Sequence, residues 1–131
     1  MSSIEPVFTE AAPVPAGHYV QAMRAGETLY ISGQLPIRPG GQPRSDPGFD
    51  AQARQALANM LAILNAAGGT PANLVRVTAY IVGVANWPEF NRIYAEVLPD
   101  ARPARTVVPV PELHYGFLVE IDAVAHMPTA P

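Results

Sequence analysis

Residues 74–97 of the sequence, LVRVTAYIVGVANWPEFNRIYAEV, predict a strand that leads directly into a helix. The first part, from Leu74 to Val84, is rich in the residue types that favour strands. Because strand side chains alternate between two faces, one face is expected to carry Val75, Val77, Ala79 and Ile81. We expect the helix that follows to connect this strand to another strand of the same sheet.

That helix begins at the stretch Asn86-Trp87-Pro88-Glu89. Asn86 can cap the helix, Pro88 falls in its first turn, and Glu89 lies three residues after the cap. Pro99 then ends the helix. Apolar residues at helical spacing predict a buried face made of Phe90, Ile93, Tyr94 and Val97.

A second helical pattern lies upstream, at residues 50–66. Asp50 or Asp46 can cap its start, and Gly68-Gly69 follows its end. Its apolar stripe consists of Ala53, Leu57, Met60, Leu61 and Leu64. The residues expected off this stripe are Arg54, Gln55 and Asn59.

The remaining segments predict four more strands. Residues 19–24 and 27–32 form two of them, with Ala25-Gly26 as the turn, and residues 104–110 and 117–125 form the last two. Residues 1–17 are expected to lie on the surface, and the Pro- and Gly-rich residues 36–48 to form a loop in which disorder is an open alternative. The order ββ-α-β-α-ββ predicts an α+β fold with a mixed sheet and both helices on one face.

Composition indicates a domain that associates with copies of itself. The chain has 131 residues, which predicts one domain over 1–131, and it is 49% hydrophobic but only 15% charged. With so few charges, and with one sheet face not covered by helices, we expect burial of that surface between subunits. The net charge of −3 and the scattered basic residues disfavour a nucleic-acid or membrane surface.

The chain contains no cysteine and no lysine. The first absence excludes disulfides and thiolate chemistry, and the second excludes Schiff-base chemistry and covalently held pyridoxal phosphate. The beginning of the chain does not resemble a secretion signal, and no apolar run has the roughly 20 residues of a membrane span. A cytoplasmic location is therefore the default expectation.

Two charged residues interrupt apolar strands near the end of the chain. Arg105 lies in the segment Pro103-Ala104-Arg105-Thr106, and Glu120 lies in the last predicted strand. A guanidinium offers a planar set of donors suited to a carboxylate. Arg105 is thus a candidate carboxylate anchor, with a surface ion pair as the simpler alternative. Glu120 is a candidate general base, with a structural ion pair between subunits as its alternative.

Other reactive residues form no recognisable constellation. Ser32 lacks a Gly-x-Ser-x-Gly context and a suitably spaced histidine, so a hydrogen-bonding role fits it better than that of a nucleophile. The histidines, His18, His114 and His126, are widely separated, and a metal site is not expected. The glycine pairs at 40–41 and 68–69 do not follow a strand and open a helix, which disfavours phosphate loops.

Several segments taken together resemble the RidA/YjgF family of enamine/imine deaminases. The resemblance spans about residues 17–126, in one order and with small gaps. The segments are Tyr19-Val20-Gln21, Ile31-Ser32-Gly33-Gln34-Leu35-Pro36, the helix from Gln52-Ala53-Arg54 to Asn59, Pro103-Ala104-Arg105-Thr106, and Val119-Glu120-Ile121-Asp122-Ala123-Val124-Ala125.

This resemblance implies a chorismate-mutase-like subunit in a homotrimer, with a ligand cleft at each subunit interface. It also implies hydrolysis of 2-imino acids or their enamine tautomers, such as 2-aminoacrylate and 2-iminobutanoate, to 2-oxo acids and ammonia, without metal or organic cofactor. Arg105 would hold the substrate carboxylate, with Ser32 and the backbone of Gly33 beside it. Glu120 would position the attacking water. Tyr19 and Asn91 would line the cleft.

The chain departs from the family pattern at three places. Many members carry a cysteine two residues after the arginine, where this chain has Val107, whose carbonyl could still help to hold the water. Pro109-Val110-Pro111 stiffens the strand end, and His18 stands where proline is common. A non-catalytic trimer that binds a small carboxylate is the alternative that Val107 and the proline-rich strand end favour. A ribonuclease or translation inhibitor is a third class, disfavoured by the acidic balance.

Overall fold

The computed structural model describes residues 3–41 and 48–128. In chain order the strands and helices are β1 (Ile4–Val7), β2 (Ala22–Ala25), β3 (Thr28–Gln34), α1 (Phe49–Ala66), β4 (Leu74–Val82), α2 (Trp87–Val97), β5 (Ala104–Val110) and β6 (Val119–His126). Single 3-10 turns lie at Pro71–Asn73, Val84–Asn86 and His114–Gly116. The described part of the chain has no helix long and apolar enough to cross a membrane.

The strands form one mixed sheet in the order β1-β2-β3-β6-β4-β5. Four of the neighbouring pairs are antiparallel, and β4 and β5 are parallel because α2 returns the chain to the same end of the sheet. The two helices pack on this sheet and on each other. The predicted α+β architecture, with a mixed sheet and two helices on one face, is therefore confirmed.

The sequence prediction omitted β1. Residues 1–17 were expected only to lie on the surface, but Ile4–Val7 pairs with β2 along its whole length. Pro6 disguises this strand in the sequence, since proline cannot donate to a strand ladder and is tolerated only at an edge. β1 is the edge strand of the sheet, and the element order is βββ-α-β-α-ββ.

Strand β4 follows the predicted alternation except at its start. Val77, Ala79 and Ile81 are buried, but Val75 is 50% exposed. A register shift between Leu74 and Arg76, where β4 pairs with β6, turns Leu74 inward instead. The expectation that Val75 shares one face with Val77, Ala79 and Ile81 was therefore wrong.

Helix α1 begins differently from the prediction. Its N-cap is Gly48, which offers no side-chain cap, and Asp46 lies outside the described residues. Asp50 lies in the first turn, where its carboxylate accepts a hydrogen bond from Nε of Arg54 at 2.8 Å. A negative charge here is favourable because it lies near the positive end of the helix dipole.

The end of α1 and most of its stripe match the prediction. The amide of Gly69 donates to Leu64 O and that of Gly68 to Asn65 O, which is a Schellman motif with Gly68 at φ 93°. Asn59 is not off the buried face, however, since it is only 1% exposed. Its amide group donates to Leu35 O and Ile37 O and so holds the start of the loop that was predicted at 36–48. Residues 42–47 of that loop lie outside the described residues.

Helix α2 matches the predicted bounds and buries Phe90, Ile93 and Tyr94. Asn86 occupies the N-cap position, but its side chain donates to Val82 O at 3.0 Å instead of capping the helix. Ion pairs join the exposed sides of the two helices, in which Arg54 contacts Asp50 and Glu96, and Arg92 contacts the same two carboxylates.

The two faces of the sheet differ in cover. On the helix-facing side, strand residues such as Leu29, Val77 and Ile121 are fully buried. On the other side no described helix covers the sheet, and its residues are exposed or half-buried, among them Tyr30, Thr78, Tyr80, Thr106, Val108, Glu120, Asp122 and Val124. This open face is the surface that a second subunit is expected to cover.

Candidate functional site

Arg105 lies on the helix-facing side of the sheet. It pairs with the fully buried Val77 in the parallel β4–β5 ladder, and paired residues point to the same face. Its Nη1 donates to Oδ1 of Asn91 at 3.0 Å. Its guanidinium carbon lies 4.9 Å from the ring centre of Tyr94, which is within the range of a cation–π interaction. Helix α2 therefore holds the arginine at two points.

The guanidinium of Arg105 retains most of its donors. An arginine offers five N–H groups, and only the contact with Asn91 uses one among the described residues. No carboxylate of residues 3–41 and 48–128 lies within ion-pairing distance of Arg105, in contrast to Arg54 and Arg92. The half-buried fork is thus available to an anionic group from outside this part of the chain.

Val107 lies next to Arg105 on the same side of β5. It pairs with Ala79 and packs partly against the core. Arg105, Asn91, Tyr94 and Val107 form one cluster, which we call the anchor group. Its chemistry is that of a rigid positive fork beside an apolar wall.

Glu120 lies on the opposite, open face. Its strand neighbours Val119 and Ile121 are fully buried, so the alternation of β6 turns Glu120 and Asp122 away from the helices. This is the alternation expected from the sequence. Glu120 pairs with Tyr80, whose hydroxyl donates to Asp122 at 3.1 Å.

Gly33 makes room for the carboxylate of Glu120. A Cβ atom added at position 33 would lie 2.6 Å from Oε2 of Glu120, which is far inside contact distance. Burial raises the pKa of Glu120, Asp122 raises it further, and His114 has a weaker opposing effect. In the described chain no donor hydrogen-bonds this carboxylate, so it remains able to bind water or a ligand.

Ser32 lies in β3, and Tyr19 lies in the segment that precedes β2. The hydroxyl of Ser32 donates to Val20 O at 2.7 Å, so its proton is already used within the chain, although its oxygen can still accept. Tyr19 is 50% exposed, and its hydroxyl accepts a weak hydrogen bond from the amide of Ala16 at 3.3 Å. Tyr19 and Gly33 line one shallow crevice. We call Glu120, Gly33, Ser32 and Tyr19 the acid group.

The structure thus divides the predicted site residues between two places. The anchor group faces the helices at β5, an edge of the sheet, whereas Glu120 lies on the open face of β6. Because a β-sheet separates the two side chains, one chain does not bring Arg105 and Glu120 together.

Sequence reasoning missed the role of Gln21. It is 2% exposed, and its amide makes two hydrogen bonds with Thr9, accepting from the amide at 2.7 Å and donating to the carbonyl at 3.0 Å. The same amide group donates to Pro13 O at 2.9 Å. Gln21 therefore holds the segment that walls the crevice of Tyr19. The available signal was a long amide side chain between Val20 and Ala22, in a segment expected to form a strand.

Gln52 has a comparable role in α1. It is 2% exposed, and its Oε1 accepts from the amide of Leu118 at 2.8 Å. This contact fixes the chain immediately before Glu120. Among the described residues, no group of three His, Cys, Asp or Glu side chains has the arrangement of a metal site.

Fold and site define a small α+β protein with an unpaired arginine fork and a separate half-buried carboxylate. The family model described as endoribonuclease L-PSP matches residues 9–127. The RutC family protein of Pyrococcus horikoshii is 40% identical over 122 residues, which cover 93% of this chain and 97% of the relative. The chain therefore belongs to this family, which is the YjgF/RidA family.

Two solved structures support the same assignment. RidA from an Antarctic Psychrobacter species has a TM-score of 0.88 and 35% identity, with 94% of this chain and 99% of that chain covered. TdcF of E. coli, with bound serine, has a TM-score of 0.85 and 30% identity, with 93% and 98% covered. The fold is thus the chorismate-mutase-like fold expected from the sequence.

Proposed function

We propose that the protein is a cytoplasmic 2-iminobutanoate/2-iminopropanoate deaminase, a single-domain chain that works as a homotrimer with sites between subunits. It would hydrolyse reactive 2-imino acids and their enamine tautomers to 2-oxo acids and ammonia. The observation that carries the proposal is the unpaired fork of Arg105, held by Asn91 and Tyr94 and free to bind a carboxylate. Membership of the YjgF/RidA family supports the same chemistry.

In this proposal Arg105 of one subunit binds the substrate carboxylate, and Glu120 of the next acts on water. Two parallel hydrogen bonds from the fork would fix the orientation of the imine as well as its position. Water adds to the imine carbon and gives a carbinolamine. Collapse of that adduct, with transfer of a proton to nitrogen, releases ammonia and the 2-oxo acid, so that water is the only co-reactant.

The environment of Glu120 suits the transfer of that proton. Burial raises its pKa, which makes it a stronger base than an exposed glutamate. It has no hydrogen-bond partner in the described chain, so its oxygens are available to orient water. Ser32 would contribute its acceptor oxygen to the cleft, and Gly33 would contribute its backbone. Tyr19 would form one wall of the cleft.

A trimer that only binds a small carboxylate is the second candidate. The apolar Val107 beside the fork favours it, since that position adds no polar side chain to the site. The related TdcF of E. coli was solved with bound serine, and serine also carries a carboxylate. Both candidates use the same anchor group and differ only in turnover.

A coupled assay separates these candidates. Serine or threonine dehydratase generates the enamine, and formation of the 2-oxo acid is followed with and without this protein. The proposed enzyme accelerates release of the 2-oxo acid, whereas a binding protein leaves the rate unchanged or slows it by sequestration. Absence of acceleration by folded, oligomeric protein would reject the deaminase. Release of nucleotides from RNA by the same preparation, abolished in Glu120→Gln, would instead support the endoribonuclease activity for which the family model is named.

A further inference from the structure

We propose that Tyr94 is a positioning residue for the carboxylate anchor, and that it acts through its ring rather than through its hydroxyl group. The inference deepens the proposed function and rests on its assignment of Arg105 as the anchor. Tyr94 was expected from the sequence only as part of the buried face of α2. Its contact with Arg105 gives it a second role.

Tyr94 and Asn91 act on the guanidinium from one face of α2. They are three residues apart in the helix, so their side chains project in the same direction. Asn91 accepts from one terminal nitrogen at 3.0 Å, and the Tyr94 ring lies 4.9 Å from the central carbon. A hydrogen bond at one point and a ring at another restrict both the position and the tilt of the fork.

The ring is a rigid support. Tyr94 is 8% exposed and packs against the fully buried Phe90, with ring centres 5.6 Å apart. A free arginine side chain loses rotamer freedom when it is fixed. Because Tyr94 and Asn91 already restrict Arg105, a ligand carboxylate would not have to supply that ordering free energy.

The hydroxyl group of Tyr94 has no matching role. It is buried, and no described group hydrogen-bonds to it. Burial raises the pKa of this phenol, against a weaker lowering by Arg105, so the group stays neutral at physiological pH. The hydroxyl thus supplies neither charge nor a hydrogen bond to the fork, and the ring alone makes the contact.

The test is a titration of 2-oxobutanoate into the oligomeric protein, followed by calorimetry, which does not depend on turnover. Tyr94→Phe keeps the ring and is expected to bind within about twofold of the wild type. Tyr94→Leu removes the ring and is expected to weaken binding by about 3- to 30-fold, the range of a cation–π contact. The inference would be overturned if Tyr94→Leu bound as tightly as the wild type, or if Tyr94→Phe lost as much affinity as Tyr94→Leu.

Two controls separate positioning from simple loss of packing. Ile93→Val truncates a fully buried, neighbouring residue of the same helix, and it should leave binding unchanged. Tyr94→Met retains more of the volume than leucine and should weaken binding in the same way if Tyr94→Leu does not fold. If Ile93→Val weakened the binding of 2-oxobutanoate as much as Tyr94→Leu does, the effect would come from lost core packing and not from positioning of Arg105.

A double-mutant cycle tests whether Tyr94 acts through the arginine. In the Arg105→Ala background, Tyr94→Leu should leave the residual kcat/KM unchanged, because the group that it positions is gone. A further loss of kcat/KM in the double variant would contradict the inference. If the wild-type protein binds no 2-oxobutanoate, Arg105 is not a carboxylate anchor. That result would reject the proposed function, and it is distinct from the results that would contradict the role of Tyr94.

Discussion

The anchor group and the acid group are held by opposite means. Arg105 is fixed by contacts that its own chain supplies, a hydrogen bond to Asn91 and the ring of Tyr94. The carboxylate of Glu120 occupies space that a side chain at position 33 would fill, and Gly33 leaves that space open. The anchor group is therefore preorganised by contacts. The carboxylate of the acid group has open space around it and accepts no hydrogen bond from the described residues.

They also lie on opposite faces of one sheet. Register places Arg105 beside Val77 on the helix side and Glu120 beside Tyr80 on the open side. Among the described residues no ion pair joins the two side chains, so neither neutralises the other. Under the proposed function, each chain carries two half-sites, and association of two chains would complete the site.

Removing the fork is expected to have the largest effect. Arg105→Ala loses two charge-assisted hydrogen bonds to the substrate, so kcat/KM should fall by at least about 100-fold. The matched control is Arg102→Ala, an exposed arginine three residues upstream, which should leave kcat/KM unchanged. Steady-state kinetics in the dehydratase-coupled assay measures both. Equal losses in the two variants would mean that general charge, and not the fork, matters.

Mixing two impaired variants tests the division into half-sites. Arg105→Ala and Glu120→Ala should each retain only a small residual activity, but their co-assembled oligomers contain some interfaces with both wild-type groups. Random assembly predicts recovery of about a quarter of the wild-type activity. Activity is measured after co-expression and compared with the separately purified variants after simple mixing. No recovery in verified mixed oligomers would show that the two groups do not share an interfacial site.

Filling the space at position 33 should disturb only the acid group. Gly33→Ala places a methyl group against Oε2 of Glu120, and the flexible carboxylate is expected to move. Misplacement of a reacting group by about 1 Å can reduce kcat by about 10- to 100-fold. The binding of 2-oxobutanoate to Arg105 should be much less affected.

Gly48→Ala is the matched control for this substitution. Gly48 has open space around its Cβ position and a negative φ, so alanine fits there without a clash. It should retain kcat, although it can cost some helix stability at the N-cap. If Gly33→Ala also retained kcat, the position of the Glu120 carboxylate would not matter for turnover.

The smallest expected effect concerns stability and pH. The pKa of Glu120 is raised in the folded protein because burial disfavours its charged form. The folded state therefore holds this proton more tightly than the unfolded chain, and the group costs stability as pH rises through its ordinary range and up to the folded pKa. Glu120→Gln should remove that cost.

Denaturant unfolding at several pH values measures this difference. The free energy of unfolding of Glu120→Gln, relative to the wild type, should increase from about pH 4 to pH 7. Measurements are compared at equal protein concentration because association also contributes to stability. A difference that is constant with pH would show that burial does not perturb this carboxylate.

Local patterns predicted most elements of the fold. The alternation Val119, Glu120, Ile121 placed Glu120 on the face away from the helices, and the pair Gly68-Gly69 marked the end of α1. Errors arose where a tertiary partner overrides a local preference. Asn59 is buried because its amide satisfies two loop carbonyls, and β1 forms despite Pro6 because an edge strand tolerates it.

The candidate site was predictable residue by residue but not as an arrangement. Arg105 and Glu120 stand out because each is a charge within an apolar strand. Tyr94 looked like any other apolar position of α2, and its contact with Arg105 follows only from how α2 packs beside β5. Gln21 likewise acquires a role only when residues 9–13 fold back over it.

The sequence alone therefore determined the candidate site residues, both helices, most of the strands, and most of the residues within a strand that share a face. These properties follow from short-range periods of 2 and 3.6 residues. Whether Arg105 and Glu120 point to the same side was decided by the pairing of β5 with β4 and of β4 with β6. Such pairing joins distant segments, and its register depends on the whole core, so only the tertiary structure separates the anchor from the acid.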